Sequence, residues 1–198
     1  MKIIRSSSEA EMIAAFLQAE IHSPRFKKYV RSLLGGDLRL VQRPRLDDRW
    51  ENEERKKVLA GYRGYGQNSL LFQHFPTDID WQRVILSRDE VGALKYAGVV
   101  ETWRDLSNGS RLVRDGAANV ETVSVGENAN ANILAVEAEL LRGRTYPEII
   151  IAAVPGDTNH VLIEGHTRAT AYYRAFDKTA EVEAIVAYSP HMATWGFY

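Results

Sequence analysis

The sequence predicts an α/β protein of the α+β kind, with a mostly helical first part and then a small unit in which strands and helices alternate. Three observations predict it. Near the N-terminus, apolar residues recur at helical spacing behind capping signals. Short apolar runs at Glu148–Val154, Val161–Ile163 and Val182–Tyr188 have the length and composition of buried strands. The stretches from Ile133 to Leu141 and from Thr167 to Phe176, which separate or precede those runs, are helix-forming. The expected organisation is a helical region of unassigned role over 1–118, a sheet-and-helix domain over 119–190, and a tail over 191–198.

Ser8 followed by Glu11 has the form of a capping box, and Met12, Ile13, Phe16 and Leu17 then predict a helix from about Glu9 to Glu20. Ser23-Pro24 is a second start signal, and Gly35-Gly36 stops that helix after Leu34. The mixed charges between Asp47 and Lys57 predict a solvated helix starting in Asp47-Asp48-Arg49-Trp50-Glu51. Gly61-Tyr62-Arg63-Gly64-Tyr65-Gly66 sets three glycines beside an arginine. A dinucleotide loop needs a strand before it, and none is seen here, so the stretch reads as a turn packed by tyrosines. Trp81 to Leu86 alternates like a strand, Ser87 and Glu90 repeat the capping box ahead of Val91 and Leu94, and Ser107-Asn108-Gly109-Ser110 is a turn.

After about Ala118, Val123 and Val125 alternate with polar neighbours as a half-buried strand would, and a polar loop from Glu127 to Asn132 follows. Ile133, Leu134, Val136, Leu140 and Leu141 form the stripe of a helix ending at Gly143. Pro147 opens the next strand, Pro155-Gly156-Asp157 turns the chain, and Glu164-Gly165 breaks the strand at Val161–Ile163 before the alanine-rich helix. With Val182–Tyr188 last, the predicted order is strand, helix, strand, strand, helix, strand.

Composition narrows the function. With 25 basic against 26 acidic residues in 198 and a net charge of -1, no global field draws the chain to nucleic acid or an anionic membrane, so any phosphate binding is local. The absence of cysteine excludes disulfides, thiolate zinc sites and cysteine nucleophiles. Met1 to Glu20 carries charges every few residues, so neither a signal peptide nor a membrane anchor is expected, and a cytoplasmic protein is. His22, His74, His160 and His191 show no metal-ligand spacing.

The chemistry concentrates in Glu164-Gly165-His166-Thr167-Arg168. Where a buried strand breaks at glycine and a helix begins, backbone N–H groups point outward and the helix dipole favours an anion. Gly165 permits close approach, Thr167 offers a hydroxyl, His166 a ring donor, and Arg168 a forked cation suited to phosphate oxygens. Glu164 is a candidate ligand for a magnesium ion carried by a nucleotide, or a base, and with His166 forms the candidate catalytic pair. The bland alternatives are an N-cap at Thr167, an exposed loop residue at His166, and a surface ion pair between Arg168 and Glu164.

The run Val161-Leu162-Ile163-Glu164-Gly165-His166-Thr167-Arg168-Ala169-Thr170-Ala171, preceded by Gly143 and Pro147-Glu148-Ile149-Ile150-Ile151, resembles the ParB/sulfiredoxin-like superfamily over roughly Val120 to Tyr188. The resemblance implies a small mixed sheet with helices, a bound nucleotide such as ATP, ADP or CTP with Mg2+, and phosphate-binding roles for Gly165, His166, Thr167 and Arg168. It also brings departures. Sulfiredoxin activity needs a cysteine that this chain lacks. Thr167 stands where partition proteins usually carry a second arginine, and no helix-turn-helix domain follows before Tyr198, so DNA partition is not expected. The expected function is nucleotide binding, with hydrolysis of a nucleoside triphosphate or transfer of its phosphate; the partner is a nucleotide or phosphorylated small molecule. The alternatives are a nucleic-acid-binding protein or nuclease, which near-neutral charge disfavours, and a non-catalytic interaction module in which tryptophans such as Trp50 and Trp103 line a partner surface.

Overall fold

A computed structural model describes residues 1–23, 26–126, 128–178 and 181–198. The chain opens with strand β1 (Lys2–Ser6) and helices α1 (Glu9–Glu20), α2 (Lys27–Leu33), α3 (Arg39–Gln42) and α4 (Arg49–Arg63). Strand β2 (Asp80–Leu86) and helices α5 (Arg88–Ala93), α6 (Glu101–Leu106), α7 (Val113–Asn119) and α8 (Ala129–Leu141) follow. The chain then runs through β3 (Ile149–Ala153), β4 (His160–Glu164), α9 (His166–Ala175) and β5 (Val182–Tyr188). The mixed α/β class expected from the sequence is what forms.

Local chemistry accounts for most of these boundaries. Ser8 accepts from the Glu11 amide at the start of α1, and Ser87 and Glu90 complete a reciprocal capping box on α5. Asp48 caps α4, and Gly64 ends it in the left-handed conformation that glycine adopts without a Cβ clash. Helix α4 is not merely solvated, because Glu51 and Arg55 are buried on its inner face. There Arg55 bonds Glu51 and the carbonyls of Leu40 and Arg45. The start signal Ser23-Pro24 has its proline outside the described residues; the helix that follows begins at Lys27.

The five strands form one sheet in the order β1-β2-β5-β3-β4. Strands β3 and β5 are parallel and the other neighbours antiparallel. The sheet crosses the boundary expected at residue 118, since β2 pairs along its whole length with β5, Trp81 opposite Ala187 and Val84 opposite Ala184. Strand β1 was not expected: all five of its residues are exposed, so no apolar alternation marks it. The strand expected at Val123 and Val125 is also corrected. Those residues lie in the connection between α7 and α8, where Asn130 bonds the carbonyls of Val120 and Val123 and the amide of Val125, meeting backbone needs without a ladder.

Helices cover both faces of the sheet. Ile150, Ala152, Val161, Ile163, Ile185 and Ala187 pack with α1 and α4 in one core. Ile149, Ile151, Leu162, Ala184 and Val186 pack with the later helices in the other. That two-sided burial is why β3 reads as an unbroken apolar run, and Ile149, Ile151, Leu162 and Ile163 are at most 2% exposed.

Candidate functional site

Strand β4 carries the chain through the core, and Glu164 emerges half-buried at its end. Gly165 then takes φ of +99°, and a Cβ built there would stand 2.7 Å from Cγ2 of Ile149. Only glycine fits this corner, which brings the first turn of α9 against the β3 edge of the core. Helix α9 starts at His166, and no side chain caps it. Its N-terminal dipole therefore faces a cleft of about 760 Å³ between the N-terminal helices and α8–α9.

Each predicted site residue lies on that cleft, in roles that differ from one another. Thr167 is half-buried at the cleft wall. The Nε2 atom of His166 accepts the Ala97 amide at 3.1 Å, which anchors the ring to the segment after α5. The imidazole stacks on Trp103 at 5.4 Å and Tyr96 at 5.9 Å, which holds its plane. Tyr96 is fixed in turn by Thr170, at 2.7 Å from its hydroxyl. Burial pushes the Tyr96 phenol well above its usual range, so it remains a neutral hydrogen-bonding group.

Arg168 is placed differently from the phosphate-facing cation expected of it. It is 6% exposed, and its guanidinium donates to the carbonyls of Pro147 and Glu148 and to the Glu164 carboxylate. Burial draws the guanidinium down to about 10, which still leaves it protonated near neutral pH. This is a Glu164–Arg168 pair, as the bland alternative had it, but an inward one. It ties the end of β4 to the segment entering β3, and the reason is geometric: Gly165 turns the helix so that position 168 points back beneath the corner. Among the described residues no group of three or more histidine or acidic side chains, at Glu164 or elsewhere, is arranged to hold a metal ion.

The opposite wall was not legible as a site. Arg63 donates to Glu20 at 2.8 Å and lies over the rings of Phe26 and Tyr62, at 4.5 and 4.2 Å. The Gly61–Gly66 stretch, expected as a tyrosine-packed turn, is instead helical over its first three residues, the end of α4, and turns only from the Gly64 cap onward, while its arginine reaches the cleft. Arg144 bonds Glu139 at 2.6 Å and sits over the Tyr146 ring. Burial, and then the hydrogen bond to Glu139, push the Tyr146 phenol up to about 12. Trp103, 6% exposed, lines the cleft rather than an outer surface, whereas Trp50 is 59% exposed. The signal for these residues was only that an arginine and a tyrosine recur beside turns; their convergence depends on tertiary packing.

Among the described residues no helix is long and apolar enough to cross a membrane. Comparison with protein-family models, with curated proteins and with solved structures gives no match for this chain.

Proposed function

We propose that the cleft binds a nucleotide or another phosphorylated small molecule, its phosphate against the first turn of α9 and the remainder along Trp103 and Tyr146. One observation carries this: a ten-residue helix opens behind a glycine, without a side-chain cap, into a cleft of about 760 Å³. Small-molecule sites span roughly 300 to 1,000 Å³ and combine apolar walls with a few oriented polar groups. Backbone amides and the Thr167 hydroxyl are the donors in this proposal. Arg168 supports them from behind by fixing the corner. Because Glu164 balances its charge, phosphate recognition rests on the helix and its hydroxyl more than on a free cation.

Turnover, as a magnesium-dependent nucleotide hydrolase or small-molecule kinase, requires Glu164 to exchange Arg168 for a metal ion or a proton. A cytoplasmic location belongs to the same proposal, since nucleotides are abundant there. The test is thermal denaturation of the full chain with ATP, ADP, CTP and inorganic phosphate, each with and without Mg2+, beside the variant Thr167→Glu. An acidic residue in the first turn of a helix is favourable to the helix but repels a phosphate. A ligand at 100 times its dissociation constant stabilises by about 2.7 kcal/mol. Stabilisation of the wild type by one of these ligands, absent in a normally folded Thr167→Glu, is the expected result. Equal stabilisation of both proteins would remove the phosphate from α9.

A further inference from the structure

The charges along the cleft are balanced within the protein itself. Among the described residues its walls carry three glutamates and three arginines, with no lysine and no aspartate. Every one of those arginines is bonded to one of those glutamates: Arg63 to Glu20 at 2.8 Å, Arg144 to Glu139 at 2.6 Å, and Arg168 to Glu164. The pairs come from separate places in the fold: the ends of α1 and α4, the end of α8 with the segment after it, and the corner between β4 and α9.

None of these arginines turns toward a ligand without loss. Arg63 lies over Phe26 and Tyr62, and Glu20 is 5% exposed, so withdrawing the guanidinium strands a buried carboxylate. Arg168 is buried beneath the corner and tied to two backbone carbonyls as well as to Glu164. Arg144 is the most exposed of them, but Glu139 holds it and also accepts from the Tyr146 hydroxyl. That hydroxyl, and after it Arg144, keep Glu139 below the usual carboxylate range in spite of desolvation, so this pair is a full charge against a full charge.

A ligand's negative charge is therefore met by little besides the N-terminal dipole of α9, worth roughly half a positive charge. A phosphomonoester brings about two negative charges near neutral pH, and the further phosphates of a di- or triphosphate add more. Repulsion between two like charges about 4 Å apart weakens binding about fivefold in bulk water and about a thousandfold near a protein surface. We propose, on the reading that this cleft holds a phosphate, that it selects ligands with a single phosphate group, a nucleoside monophosphate or a sugar phosphate, over metal-free di- and triphosphates. Glu20, Glu139 and Glu164 are then the specificity-determining residues. Each cancels a cation of the kind that clamps polyphosphates, and an arginine drawn to an added phosphate leaves its carboxylate facing the ligand.

The test is calorimetric titration of the full chain with adenosine, cytidine, their mono- and triphosphates, and ribose 5-phosphate, in EDTA. Low ionic strength lets charges act across the cleft, and about pH 8 keeps histidine, whose ordinary value is about 6.5, out of the balance. EDTA removes Mg2+, which would offset the charge of a triphosphate. The expected result is that a monophosphate binds about tenfold or more tightly than the triphosphate of the same base, and more tightly than the nucleoside. Ribose 5-phosphate equal to the monophosphates identifies a sugar phosphate, and weaker than them a nucleotide; either fits selection for one phosphate. In Glu139→Gln, whose amide oxygen still accepts from Tyr146, Arg144 loses its counter-charge, and the gap between mono- and triphosphate should narrow severalfold. Glu54→Gln, the same charge change at the Lys57 pair outside the cleft, should leave the gap as it is. A triphosphate bound as tightly as its monophosphate, or a gap that Glu139→Gln does not narrow, would overturn the charge selection and leave the phosphate site standing. Failure of every phosphorylated compound to bind would remove both.

Discussion

Substitution of Arg168 by alanine separates an inward structural pair from a surface one. The guanidinium is buried and serves three acceptors, the Pro147 and Glu148 carbonyls and the Glu164 carboxylate, whose side chain is 17% exposed. Removing one partner of a buried pair costs about 3 to 5 kcal/mol, because the other charge is left behind. The partial exposure of Glu164 places Arg168→Ala at the lower end, about 3 kcal/mol. For a chain of this size each kcal/mol corresponds to roughly 2 to 4 °C, so the melting temperature falls by about 6 to 12 °C. Replacing both partners, as Arg168→Met with Glu164→Leu, leaves no orphaned charge, and the double variant is expected to be more stable than Arg168→Ala alone. Urea denaturation followed by circular dichroism measures all three proteins. A cost below about 1 kcal/mol for Arg168→Ala is what an exposed ion pair gives, and it would refute the buried anchor.

Other expected outcomes follow from single contacts. Gly165→Ala places a Cβ 2.7 Å from Ile149 at a φ of +99°, and should destabilise by about 2 kcal/mol or more in the same denaturation assay. Glu11 is held at about 2: desolvation works to raise it, but hydrogen bonds from Arg5, Ser7 and Arg83 outweigh that. A depressed folded-state value means that its stabilisation is present above the ordinary carboxylate value of 4.5 and is lost as pH falls toward 2. Glu11→Gln should therefore flatten the acid limb of a stability-versus-pH curve, and an unchanged limb would contradict the assignment. Tyr96→Phe leaves the Thr170 hydroxyl its His166 carbonyl at 2.8 Å but deletes the 2.7 Å bond between the two side chains. The expected cost is about 1 kcal/mol, with the ring stack retained.

What could be read in the sequence was local. Ser87 with Glu90 announced a helix start because a capping box is contained within four residues, and Ile149–Ala153 announced a doubly covered strand because every residue is apolar. Strand β1 was illegible because Lys2 and Arg5 flank two exposed isoleucines and nothing alternates. Val123 and Val125 alternated but found their backbone partners in the Asn130 side chain, a substitution that no periodicity shows. At the site, the strand, glycine and helix start were plain from Val161 to Ala171. The direction of Arg168 was not, since the same residue suits an outer phosphate or an inner carboxylate. Arg63, Tyr146 and Trp103 lie far apart along the chain, and only the packing of α1 and α4 across the sheet from α8 and α9 brings them to one cleft.

The pairing of β2 with β5 also governs how this protein comes off the ribosome. Arg83 and Glu183, which bond across these strands, are separated by 100 residues, so β2 is synthesised long before the strand that completes its ladder. Val84 and Leu86 must wait on the far side of that delay with their apolar face unfilled, and β1 can dock only on a strand whose other edge is still open. Nascent chains halted before residue 182 should accordingly be protease-sensitive through β1 and β2 and prone to associate through the bare edge, while α1 and α4 have already formed. Folding of the sheet thus waits on the synthesis of β5, and a fragment beginning near residue 119 would leave β5 with one neighbour instead of two.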